Sequence, residues 1–109
     1  MILEGEVIEG FNTSNIYIKR YYDKLYKLIR RDYYPHTINL KLEQEDFKQF
    51  KLRSNLFIEG DLILHWKKGN LKGFSCICLI PEKTKHRFVV EIICEKKVEI
   101  SKKLEVEVD

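Results

Sequence analysis

The chain has 109 residues, 44% of them hydrophobic and 34% charged, which is enough for one domain with its own core and too little for two. Twenty basic side chains against 17 acidic ones leave a formal charge of +3, an excess too small to imply a nucleic-acid partner by itself. No stretch reaches the roughly 18 consecutive apolar residues of a membrane span, and Met1-Ile2-Leu3-Glu4-Gly5-Glu6 has neither the basic start nor the apolar centre of a secretion signal, so a cytoplasmic protein with no membrane partner is expected.

Residues 2–9 alternate imperfectly between apolar and polar and predict a strand with an irregularity at Gly5. Gly10-Phe11-Asn12-Thr13-Ser14-Asn15 is a run of turn formers and reads as a loop. Tyr22, Leu25, Tyr26, Leu28 and Ile29 then recur at three- and four-residue spacings, predicting an amphipathic helix over 21–31 with its charges outward. Within residues 19–31 six basic side chains face one acid, Asp23, a local positive patch suited to an anion such as phosphate. Pro35 ends that region.

Residues 37–42 alternate cleanly, with Ile38, Leu40 and Leu42 on one face and Thr37, Asn39 and Lys41 on the other, and predict a strand. Residues 43–50, acidic at the start with Phe47 and Phe50 three apart, predict one or two helical turns. Strands are expected over 55–59, 61–67, 71–80 and 88–94, punctuated by Gly60-Asp61, Lys68-Gly69-Asn70 and Pro81-Glu82-Lys83, with a last strand over 104–108. Six or seven strands with one substantial helix imply a mainly β, largely antiparallel fold closed into a small barrel, a form that leaves no exposed sheet edge.

Several chemistries are excluded by residue type and spacing. Cys76 and Cys78 share a strand face, but no second pair follows at zinc spacing, and Cys94 stands alone. All three lie in apolar runs, as expected of reduced, buried thiols without nucleophilic activation. His36, His65 and His86 are scattered over three elements, His65 adjoining Trp66 in a half-buried strand pattern. Neither the common phosphate-binding loop nor a dinucleotide glycine motif occurs. Thr37 and Asn39 place a hydroxyl and an amide oxygen side by side on one strand face. Such neutral oxygens suit magnesium whose charge is balanced mainly by substrate phosphates, although a solvent-facing Thr-x-Asn is also ordinary.

Pro35-His36-Thr37-Ile38-Asn39-Leu40-Lys41-Leu42, followed about forty residues later by Ile80-Pro81-Glu82-Lys83-Thr84-Lys85-His86 and Val90-Glu91-Ile92-Ile93, resembles the archaeal CTP-dependent riboflavin kinases, as does the opening Glu4-Gly5-Glu6-Val7-Ile8-Glu9-Gly10. The resemblance spans essentially the whole chain. It implies a cradle-loop, riboflavin-kinase-like six-stranded β-barrel that moves the γ-phosphoryl group of CTP to the 5′-hydroxyl of riboflavin, giving FMN and CDP. It implies magnesium on Thr37 and Asn39, and flavin contacts from Thr84 and Glu91; apart from the resemblance, Glu91 is alternatively a base for the ribityl hydroxyl. Nucleotide contacts would come from Gly10, Phe11, Asn12, Thr13, Ser14, Asn15 and Ile16, and from Lys97, Val98, Glu99 and Ile100. The chain departs from the family in having no loop glycine after Gly10, in Glu99 and Ile100 where an arginine and an acid are usual, and in a middle hairpin that reads as shortened around residues 67–70. A monomer is expected. Two alternatives stay open: a flavin- or nucleotide-binding relative without transfer, and a basic barrel binding nucleic acid through residues 19–31, the latter disfavoured because the helical spacing turns the tyrosines inward.

Overall fold

In the computed structural model, residues 1–8, 34, 37–83 and 87–109 are described, and they form seven strands and one helix. In chain order these are β1 (Ile2–Ile8), β2 (Thr37–Lys41), α1 (Gln44–Arg53), β3 (Asn55–Glu59), β4 (Leu62–Leu71), β5 (Phe74–Pro81), β6 (Val89–Cys94) and β7 (Lys103–Val108). Alternation drives most of them. In β7, Leu104, Val106 and Val108 are buried while Lys103, Glu105 and Glu107 are exposed, so one face of the strand must turn inward.

Every pairing is antiparallel, and the sheet runs β3-β4-β5-β6-β2-β1-β7. β7 also returns onto β4, closing β4, β5, β6, β2, β1 and β7 into a six-stranded barrel. The closure is made at Gly69, which pairs with Val108, beside Asn70, which pairs with Glu107. A Cβ on Gly69 would lie 2.7 Å from the Glu107 carbonyl oxygen, so only glycine admits the seam strand at this distance. Gly5 serves similarly, since a Cβ there would collide with the Lys41 carbonyl group.

The barrel interior is filled by alternate residues of all six strands, among them Leu3, Leu40, Ile92, Cys78 and Val106, and α1 adds the fully buried Phe50 to the same cluster. A second cluster, Leu64, Ile77, Leu79 and Ile93 with Phe57, Leu62 and Trp66 against it, lies on the outer face of β4, β5 and β6. Those strands are therefore covered on both sides.

Four sequence expectations need correction. Lys68-Gly69-Asn70 is strand, because Gly69 marks a close approach between strands and not a turn. The turn is Lys72-Gly73, with φ of 52° and 87° between the paired Leu71 and Phe74, a two-residue type I′ connection that falls further along the chain than the expected 68–70. α1 runs to Arg53, past the two turns expected. β6 begins at Val89, since Phe88 takes φ 59° and breaks the extended run, its ring edge-on to Phe47 at 5.7 Å. Closure also does not remove every edge: β3 pairs with β4 alone among the described residues. The helix expected over 21–31 lies outside the described residues.

Candidate functional site

β2 turns Ile38 and Leu40 into the barrel core, which by the two-residue period sends Thr37 and Asn39 to the opposite face. Register with β6 sets Asn39 opposite Glu91 and Thr37 opposite Ile93. Continuing across the strands, Ile8 of β1 pairs with Asn39, Leu79 of β5 with Glu91, and Trp66 of β4 with Leu79. One row on the outer face thus reads Ile8, Asn39, Glu91, Leu79, Trp66. The oxygen-bearing side chains sit at its β2–β6 part, bordered by the outer apolar cluster.

This face is not a solvent face. Asn39 is 6% exposed, and both Thr37 Oγ1 and Asn39 Oδ1 are buried without a hydrogen-bond partner. A buried acceptor left unmet costs about 1–3 kcal/mol, and native structures seldom keep two together without a use for them. Burial also pushes the Glu91 carboxyl up to about 7, so near neutral pH it exchanges readily between acid and carboxylate. The trio offers two neutral acceptors and one group able to take a proton. Both oxygens are closed to solvent, so ligand entry requires a change of conformation.

Tested against magnesium, the donor set fits a substrate-borne ion. Among the described residues no group of three His, Cys, Asp or Glu side chains forms a resident metal cage. Two neutral oxygens awaiting a partner are what an ion neutralised chiefly by phosphates would need.

No protein-family model matches the chain, and no curated protein is detectably similar to it. Function therefore has to be argued from the site.

The remaining expected site residues divide by position. Residues 95–102 link β6 to β7 at the barrel end where β2 begins. There Val98 is buried in the barrel core, Lys97, Glu99 and Ile100 are exposed, and the Glu99 carbonyl accepts a 2.8 Å bond from Lys72 Nζ. The link ends at Lys102, whose carbonyl accepts from Val7 N at 2.8 Å, one residue from the partner of Asn39. Gly10, Phe11, Asn12, Thr13, Ser14, Asn15 and Ile16 lie outside the described residues, but the chain leaves β1 for them at Ile8, directly beside Asn39. It is described again at Tyr34, whose N–H donates to the Cys94 carbonyl at 2.8 Å. Thr84, His36 and His86 lie outside the described residues.

The thiols are free and buried, as expected of reduced cysteines. The neighbouring Cys78 thiol and burial hold Cys76 protonated, and contact with Cys76 together with burial does the same for Cys94, so neither supplies a nucleophile. His65 Nε2 lies 2.6 Å from Glu82 Oε2, a pair that holds the exposed Glu82 carboxyl below its usual range and stands apart from the trio's row. Sequence reasoning missed the apolar strip of Ile77, Leu79 and Trp66 beside Glu91. Its signal was the unbroken apolar run 76–80, since a strand covered on both faces loses its alternation.

Proposed function

We propose that this protein is a riboflavin kinase of the CTP-dependent archaeal type, in a divergent form. The observation that carries the reading is the pair of orphaned oxygens, Thr37 Oγ1 and Asn39 Oδ1, both buried and two positions apart on the outer face of β2, with Asn39 opposite Glu91. Their position matches the Thr-x-Asn strand of the resemblance, and their unmet acceptor capacity is the property a cation site demands. When bound, magnesium would supply positive charge to the triphosphate and offset the charge that builds up during transfer.

The chain's own residues account for the rest. Thr37 and Asn39 would hold the ion that supplies positive charge at the phosphate end of the nucleotide. Glu91 receives the proton of the ribityl 5′-hydroxyl as that oxygen bonds to the γ-phosphorus and the bond from phosphorus to the β-phosphate oxygen breaks, leaving CDP. Glu91 stands between the oxygen pair and the apolar strip, the boundary at which a ligand with an aromatic head and a polar tail changes character. Residues 10–16, which follow β1 in the chain, and residues 97–100 in the link from β6 to β7 are the segments assigned to the nucleotide. Positioning and electrostatics suffice for this chemistry, and no nucleophilic side chain is needed.

The test is direct. Purified protein is incubated with riboflavin, magnesium and each nucleoside triphosphate, and FMN is measured. FMN with CTP and much less with ATP supports the proposal, and Asn39→Ala is expected to lower turnover by at least about tenfold while flavin affinity changes little. Flavin binding without FMN under any donor transfers the reading to a binding relative that has lost transfer. Equal turnover in Asn39→Ala and the parent removes the cation site.

A further inference from the structure

The barrel's closure leaves one strand outside it. β3 hangs on β4 through the two-residue turn Gly60-Asp61, with Glu59 opposite Leu62. In such a hairpin the closing pair exchanges both of its hydrogen bonds, and so does every second pair before it, here Phe57 with Leu64 and Asn55 with Trp66. Leu56 and Ile58 therefore direct their N–H and C=O groups away from β4, to the edge that no other strand among the described residues pairs with. These same two residues expose their side chains, at 56% and 60%. With Leu52 at 78%, three of the five exposed large hydrophobics among the described residues fall within residues 52–58. The strand carries no lysine or proline of the kind that guards edges against pairing.

We propose that this edge pairs with the same edge of a second copy of the chain, antiparallel about Phe57, to form a two-fold symmetric dimer. The sequence Asn55-Leu56-Phe57-Ile58-Glu59 complements itself in that register. Leu56 falls opposite Ile58 of the second copy and Ile58 opposite its Leu56, so all four outward backbone groups on each strand find partners and four aliphatic side chains meet on one face. Asn55 falls opposite Glu59 of the second copy, a carboxamide facing a carboxylate at both ends, and no like charges meet. A five-residue edge spans about 17 Å and buries a few hundred Å² per copy, well under the roughly 800 Å² per partner of a standard stable interface. The dimer is consequently weak and concentration-dependent, and the expected monomer is its dilute form. This inference is independent of the assignment of the kinase site.

Sedimentation equilibrium from about 5 to about 500 µM reads it. The weight-average mass is expected to rise from that of one chain toward twice that value, and a mass that stays at one chain throughout overturns the proposal. Ile58→Lys, at an exposed position whose backbone takes no part in the β3–β4 ladder, is expected to remain single-chain over the whole range with an unchanged urea midpoint. Association of that variant equal to the parent's also overturns it. The double variant Leu56→Glu with Ile58→Lys puts an acid opposite an ammonium across the axis twice and is expected to restore association, now weakened by added salt. Failure of the pair to associate better than Ile58→Lys alone refutes the antiparallel register about Phe57.

Discussion

Replacing Glu91 by glutamine isolates the energetic consequence of burying a carboxyl beside Asn39. Below pH 4.5 the residue is protonated in both the folded and unfolded states and no penalty exists. As pH rises, the unfolded chain ionises freely, while the folded chain either keeps the proton or buries a charge. Stability attached to this residue is thus fully present below pH 4.5, falls through the window up to about pH 7, and is flat above it. Moving from 4.5 to about 7, at about 1.4 kcal/mol for each factor of ten, amounts to about 3 kcal/mol. Glu91→Gln keeps the side chain's size and cannot ionise. Urea unfolding of both proteins from pH 4 to pH 8, with chelator present to keep divalent cations off the site, gives the comparison. The parent's free energy is expected to fall relative to the variant's by about 3 kcal/mol across that range, other carboxylates cancelling between the two. Parallel pH profiles would refute the reasoning, because they would mean that Glu91 is solvated in the folded state.

Thr37→Val replaces the orphaned hydroxyl by a methyl group of the same shape, and is expected to raise stability by about 1 kcal/mol while lowering any FMN formation, a pairing read by urea unfolding alongside the kinase assay. Gly69→Ala drives a methyl group against the Glu107 carbonyl at the barrel seam, and a loss of about 2–3 kcal/mol is expected in the same unfolding measurement. Lys72→Asn places a residue tolerant of left-handed geometry at φ 52° in the β4–β5 turn, for an expected gain of about 0.5 kcal/mol seen as a higher melting temperature.

Part of the barrel is legible in the amino-acid order, where a strand carries apolar residues on its core face and polar ones on the other; β4, β5 and β6, which also meet an apolar cluster on their outer face, are less so. β2 and β7 declare themselves by alternation; in β7 burial follows that pattern residue by residue, whereas β2 keeps its core face but also buries Asn39 on the other. Gly69 misled because glycine marks both a turn and a place where two backbones press together, and only the partner strand, 38 residues further on, distinguishes the two. The exposed β3 edge was hidden for the opposite reason: a short apolar run bounded by polar residues, Asn55-Leu56-Phe57-Ile58-Glu59, looks the same whether a strand lies inside a closed barrel or outside it. At the site, the Thr-x-Asn spacing places both oxygens on one face. The direct juxtaposition with Glu91 depends on pairing between strands about fifty residues apart, and the burial of the face on packing over it, neither of which is local.

β7 lies between β1 and β4, so the last residues of the sequence are the keystone of the ring. During synthesis, β1 emerges first and must wait for residues 103–108 before both its neighbours exist. Until then β1 and β4 each lack their β7 neighbour and carry an unpaired edge of the kind that invites association between chains.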